Sequence, residues 1–199
     1  MSYRETTLAD FLAELSSGDA TPGGGCAAAL SGALAAGLVA MVARNTGGMV
    51  DVAAEADDLR GRLEELVDAD AAAFERVMAA FRLPKETDEQ KAERRAAVQA
   101  AYKGAVEPPL AVCAAACRVL ALTADVAERG NPNAISDAGV AALLAASAVD
   151  GAALNVDINL GSIKDDIYRA ASAHAAREAR TNAARLRDET LATVGEALR

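Results

Sequence analysis

The stretch CAAALSGALAAGLVAMVAR, residues 26–44, decides the fold. It carries no charge before Arg44 and is built mostly from Ala and Gly. Ala is the strongest helix former, and small side chains let a neighbouring backbone come close. Ala28, Gly32, Ala35 and Ala36 therefore mark a central helix in a tightly packed bundle. Upstream, Thr21-Pro22-Gly23-Gly24-Gly25 reads as a loop; downstream, Asn45-Thr46-Gly47-Gly48 stops the helix. Uncharged from Ala20 to Ala43, the region also has the length of a membrane span. Its apolarity comes from Ala and Gly rather than bulky side chains, and Pro22 with three glycines opens it. A buried helix of a soluble protein is the expectation, with no membrane partner.

The rest of the composition fits. Of 199 residues, 52% are apolar and only 3% aromatic, so Ala, Leu and Val must build the core. Alternating β-branched runs and two-residue hairpin signatures are missing, which predicts an all-α, single-domain bundle over 1–199. A net charge of -9 argues against nucleic acid, which needs clustered Lys and Arg. Arg4, Glu5 and Asp10 near the start do not resemble a secretory signal, and Cys26, Cys113 and Cys117 read as buried free thiols. Both readings point to the cytoplasm. Cys113 and Cys117 share a helix face but lack a nearby His or third Cys, so no metal is expected.

Along the chain, helices are predicted over Thr7–Leu15, Cys26–Arg44 and Ala53–Phe81. Thr87 with Gln90 forms a possible capping box, and Pro108-Pro109 should kink or restart the helix that follows. Leu110–Ala127 continues it. After the turn Arg129–Asn133, Ser136 or Asp137 can cap a helix from Ala138 to about Ala153, and Leu154–Ile163 extends it. The last helix starts at Lys164 and runs to about Arg187 or beyond.

Three features bear on chemistry. Leu59, Leu63, Leu66, Phe74, Val77 and Phe81 fall within about 80° on a wheel of about 100° per residue, with Asp70 near the centre. A carboxyl in such a stripe is either raised in pKa and suited to proton transfer, or paired with a core cation such as Arg118. Asp68 points the other way and should face solvent. Gly23, Gly24 and Gly25 before a helix can let a ligand approach the backbone, or merely permit close packing. The stretch Gly130–Asp137, with Asn155 and Asn159 four apart downstream, offers amides for a heterocycle; turn and cap chemistry explains Asn131, Asn133 and Ser136 equally well. Lys103, four residues before Glu107, suits a surface ion pair, and His174 a surface position.

These features, in this order, resemble the cyclodeaminase domain of formiminotransferase-cyclodeaminase and the bacterial methenyltetrahydrofolate cyclohydrolases. Beside Thr21–Gly25, the matching stretches are Val67–Phe74 (VDADAAAF), Leu83-Pro84-Lys85, GNPNAISDAGV (130–140) and LNVDINL (154–160). The resemblance spans about Leu8 to Asp166. It implies an all-helical fold, a homodimer, a tetrahydrofolate derivative as substrate, and no cofactor or metal. It makes Asp70 the family's motif aspartate and the catalytic acid/base. Gly23, Gly24, Gly25, Asn133, Ser136, Asp137, Asn155 and Asn159 are then expected to position substrate, with Lys103 on a substrate carboxylate. Two departures weigh against tail binding: Gly47–Asp51 and Asp157 stand where basic residues are common. The expected activity is 5-formiminotetrahydrofolate cyclodeaminase, releasing ammonia and 5,10-methenyltetrahydrofolate. The alternatives are cyclohydrolysis of the methenyl compound to 10-formyltetrahydrofolate and, outside enzymes, a helical dimerisation scaffold.

Overall fold

A computed structural model describes residues 2–199, and among these there is no strand. A short 3₁₀ turn (Tyr3–Glu5) precedes α1 (Leu8–Leu15), α2 (Gly24–Arg44), α3 (Val50–Phe81) and α4 (Asp88–Arg129). A second 3₁₀ turn (Pro132–Ala134) leads into α5 (Ile135–Leu160), and α6 (Asp166–Ala197) closes the bundle. The order follows the sequence expectation, with α3 and α5 starting three residues earlier than predicted.

Helix α2 lies between α3 and α5, and its small residues explain how close they come. A Cβ on Gly32 would lie 3.0 Å from Leu63 of α3 and 3.4 Å from Ala148 of α5, and one on Gly151 would lie 3.3 Å from Ala28. The Ser31 hydroxyl donates to the Leu144 carbonyl at 2.9 Å, which fixes the antiparallel register of α2 on α5. Ala138, Ala141, Ala142, Ala145, Ala148, Ala152 and Ala153 of α5 are sealed from solvent. Such a core gains from many close backbone approaches rather than from bulky side chains. α2, α4 and the 132–160 segment are each long and apolar enough to cross a membrane by length and composition, and more than half of the most apolar segment of each is buried inside the bundle.

Thr87 and Gln90 form the expected capping box: the Gln90 amide donates to Thr87 Oγ1 and the Thr87 amide to Gln90 Oε1, both at 3.2 Å. Asp165 caps α6 through the Tyr168 amide at 3.0 Å.

Three local expectations are corrected. Pro108-Pro109 do not break α4, which is continuous over 42 residues. A proline leaves the carbonyl four residues earlier without its helical donor; for Pro109 that is Ala105, and Asn159 Nδ2 from α5 donates to it at 3.0 Å. One of the two acceptors freed by the proline pair is thus satisfied across the bundle, which favours an unbroken helix. Ser136 and Asp137 do not cap α5, which has begun at Ile135; Asn131 instead caps the preceding 3₁₀ turn, accepting from the Asn133 amide at 3.0 Å. Asp68 does not face open solvent. It accepts from the Ser2 hydroxyl at 2.5 Å and the Tyr3 amide at 2.6 Å, tying the N-terminal turn to α3.

Candidate active site

At the N-terminal end of α2 a cavity of about 360 Å³ opens between α2, α3, α4 and α5. That is within the range of small-molecule sites. Gly23, Gly24, Gly25, Asp70, Asn155 and Asn159 all line it, so six of the ten predicted site residues meet in one place. They come from three separate helices and the loop before α2.

Asp70 is the one carboxyl on the cavity wall, and no Lys, Arg or His shares that wall. Of the predicted stripe around it, Leu63 and Val77 are buried, Leu59, Leu66 and Phe74 are half-buried, and Phe81 is exposed where the stripe meets the cavity mouth. The rival pairing with Arg118 does not occur, because Arg118 is engaged by Glu55, with one bond at 2.7 Å. Burial raises the Asp70 pKa above the ordinary carboxylate value, and hydrogen bonds from the Cys26 thiol and backbone amide offset part of the rise. The Cys26 sulfur lies 3.5 Å from Asp70 Oδ2 and 3.4 Å from the Val67 carbonyl. Burial pushes the thiol itself up to about 12, so at neutral pH it is a donor.

The two amides opposite present different faces. Asn155 Nδ2 donates to the Gly151 carbonyl at 2.9 Å. Asn159 Nδ2 donates to both Ala105 and Asn155 carbonyls, at 3.0 and 2.9 Å, which fixes the amide orientation and turns Oδ1 the other way. The apolar wall includes Phe74, Phe81 and Tyr102, the last two edge-to-face with centroids 6.1 Å apart. Tyr102 and Cys26 were not identified as site residues from sequence. Tyr102 is one of only three tyrosines in an aromatic-poor chain, and that scarcity was the available signal.

The remaining candidates lie elsewhere. Lys103 does not line the cavity; it pairs with Asp165 at 2.7 Å, not with Glu107, and sits over the Tyr168 ring. Asn133, Ser136 and Asp137 are at the opposite end of α2, beside the α2–α3 turn. There Thr46 Oγ1 accepts from the Asn131 amide at 2.9 Å and Asn131 Nδ2 reaches the Asn45 carbonyl. A helix of 21 residues places the two ends about 30 Å apart. Within one chain these residues and Asp70 do not form one site. His174 is exposed beside Glu178, as expected.

With this geometry in hand, the likeness to known proteins has a structural meaning. A family model described as formiminotransferase-cyclodeaminase matches residues 7–179. A methenyltetrahydrofolate cyclohydrolase of Methylorubrum extorquens is 45% identical over 172 residues, 81% of this chain and 83% of that protein. The formimidoyltransferase-cyclodeaminase of Mus musculus is 34% identical over 197 residues, which are 92% of this chain but 36% of that longer protein. A crystal structure of formiminotetrahydrofolate cyclodeaminase from Thermotoga maritima superposes with a TM-score of 0.87, at 25% identity, over 98% of both chains. The fold is thus that of the all-helical cyclodeaminases. The chain belongs to the formiminotransferase-cyclodeaminase family and is an enzyme; the scaffold alternative falls away.

Proposed function

We propose that the protein performs acid–base catalysis on the one-carbon unit held between N5 and N10 of tetrahydrofolate, with Asp70 as the group that moves the proton. The observation carrying this reading is a lone carboxyl in a cation-free cavity, raised in pKa by burial. A carboxyl raised in this way is better suited to accepting and returning a proton than an ordinary exposed carboxylate.

Hydrolysis of 5,10-methenyltetrahydrofolate is the leading reaction, supported by a 45% identical relative of matching span that carries that name. Water adds to the bridging carbon as a base removes one proton. The hydroxyl of the resulting adduct then loses its proton as the C=O forms and the bond from carbon to N5 opens. N5 takes up a proton, and one proton in all is released to solvent with 10-formyltetrahydrofolate as product. Cyclodeamination of 5-formiminotetrahydrofolate is the second reading, supported by the Thermotoga maritima structure. There N10 attacks the carbon of the protonated formimino group (CH=NH2+), and the proton that N10 loses goes to that nitrogen, which leaves as ammonia with the methenyl cation as product. Both reactions are additions and eliminations at one carbon, so neither requires a metal or redox cofactor.

The same reading includes a homodimer and a cytoplasmic location, the latter supported by three unpaired thiols. For the dimer, Leu34 and Met41 of α2 with Val140, Leu143 and Leu154 of α5 form an exposed apolar face, Leu34 at 55% and Leu143 at 50%. Antiparallel pairing of that face about a two-fold axis would bring Asn133, Ser136 and Asp137 of one copy to the Gly24–Asn155 end of the other. The two groups of predicted residues would then serve one shared site, within the single domain read from the sequence.

Assays with both folates, run side by side, test the reading. Turnover of the methenyl substrate is expected to exceed that of the formimino substrate. The reverse order would install the second reading, and no turnover of either would sink both.

A further inference from the structure

We infer that Gly25 and Cys26 are positioning residues for Asp70: within the first turn of α2, the Gly25 backbone and the Cys26 side chain form the seat on which the carboxyl rests, while Gly24 stays on the substrate side. The inference builds on the reading of Asp70 as the acid–base group.

The three glycines, alike in sequence, differ in space. Gly24 is exposed, and a Cβ there would make an ordinary contact with the Asn155 side chain at 3.5 Å. Gly25 is buried, and a Cβ there would lie closer than 3.0 Å to Cγ, Oδ1 and Oδ2 of Asp70 alike. A point about equally near all three atoms lies over the face of the carboxyl group. The carboxyl is therefore laid flat against the Gly25 backbone, in space that any side chain would take. Restoring ordinary contact would push it roughly 1 Å toward the cavity, and misplacement on that scale costs about 10²-fold in rate.

Cys26 completes the seat. Its sulfur is fully buried, 3.5 Å from Oδ2 and 3.4 Å from the Val67 carbonyl, so its one proton is shared between the two, and the Cys26 backbone amide further favours the charged carboxylate. From α4 the titratable group facing the cavity is Tyr102; from α5 come the uncharged Asn155 and Asn159. Donors thus approach Asp70 from the α2 side, and its other side stays open to a ligand.

The test compares Gly25→Ala, Gly24→Ala, Cys26→Ala and Cys26→Ser in the full chain, reading kcat, KM, the pH–rate profile and thermal melting. Gly25→Ala is expected to lower kcat by about 10²-fold with KM within about threefold, whereas Gly24→Ala should raise KM and spare kcat. Should Gly25→Ala fail to fold, the cysteine pair still decides. Removing a donor to the charged form raises a carboxyl pKa, so Cys26→Ala should move the acid limb of kcat to higher pH, and Cys26→Ser, a better donor, to lower pH. Superimposable acid limbs for the two, or a Gly25→Ala enzyme with normal kcat and raised KM, would overturn the inference. If Asp70→Asn is inactive while Gly25→Ala is not, only the seat is lost. If Asp70→Asn turns over normally, the acid–base reading fails and takes the seat with it.

Discussion

The two ends of α2 use similar residue types for opposite purposes. At the N-terminal end, glycines of α2 and its preceding loop and amides of α5 surround a cavity, and the Asp70 carboxyl of α3 faces it without a cation. At the C-terminal end, Asn131 is consumed by its surroundings, accepting from the Asn133 amide and donating to the Asn45 carbonyl. Ser136 and Asp137 stand beside it with no side-chain partner on the same chain among the described residues. The contrast teaches that a polar motif becomes a site only where its groups are left unspent and something is there to meet them. Asp70 meets a cavity; in the proposed dimer, Ser136 and Asp137 would meet the second copy.

That contrast can be broken most directly at Asp70. Asp70→Asn is expected to cost about 10²–10⁴-fold in kcat while the protein stays folded. Burial raises the folded-state pKa of Asp70 above its unfolded value. The folded state therefore holds the proton more tightly, and stability falls as pH rises from the unfolded carboxylate value through the raised one. Asn cannot titrate, so its melting temperature should decline less over that window and equal or exceed that of wild type at neutral pH. Retained turnover, or a steeper decline, would refute the assignment.

The next largest effect tests whether the ends meet. Leu34→Glu places a charge in the apolar α2/α5 face, and light scattering should show monomers with activity lost alongside. An active monomer would separate the two ends for good. Asp137→Asn should lower kcat/KM by about tenfold, the worth of one hydrogen bond to a charged group. Mixing it with Asp70→Asn should restore activity if each dimer then holds one intact shared site. The smallest effect belongs to Asn131→Ala: losing that cap should cost about 1 kcal/mol in denaturant unfolding and leave turnover per folded molecule unchanged. A catalytic defect there would move Asn131 into the site.

Local signals in the sequence reached far. The small residues of 26–44, the Thr87–Gln90 box and the wheel position of Asp70 each depend on neighbours within a few turns, and each was readable. What escaped depends on distant partners. The Ala105 carbonyl that Pro109 leaves open in α4 is met by Asn159, 54 residues away. Asp68 sits on the outward side of the wheel, and its partners, Ser2 and Tyr3, lie more than sixty residues away, beyond the reach of any local pattern. The wheel likewise placed Asp70 in the apolar stripe without revealing Cys26 beside it, 44 residues earlier. The Asn133–Asp137 motif was legible as a pattern but not as a location, since spacing says nothing of which end of a helix faces a cavity.

The thiols of Cys26 and Cys113 have a consequence of their own. Each is raised to about 12 by burial, so at neutral pH both are held as the thiol and not as the thiolate that oxidants and alkylating reagents attack. In the folded enzyme both sulfurs are chemically silent, and they become reactive only when the helices around them part. Trapping by a thiol reagent therefore works as a clock for local opening. Cys26 times the floor beneath Asp70, and Cys113 times the contact of α4 with α5. A ligand that closes the cavity should slow the first clock and leave the second at its own pace.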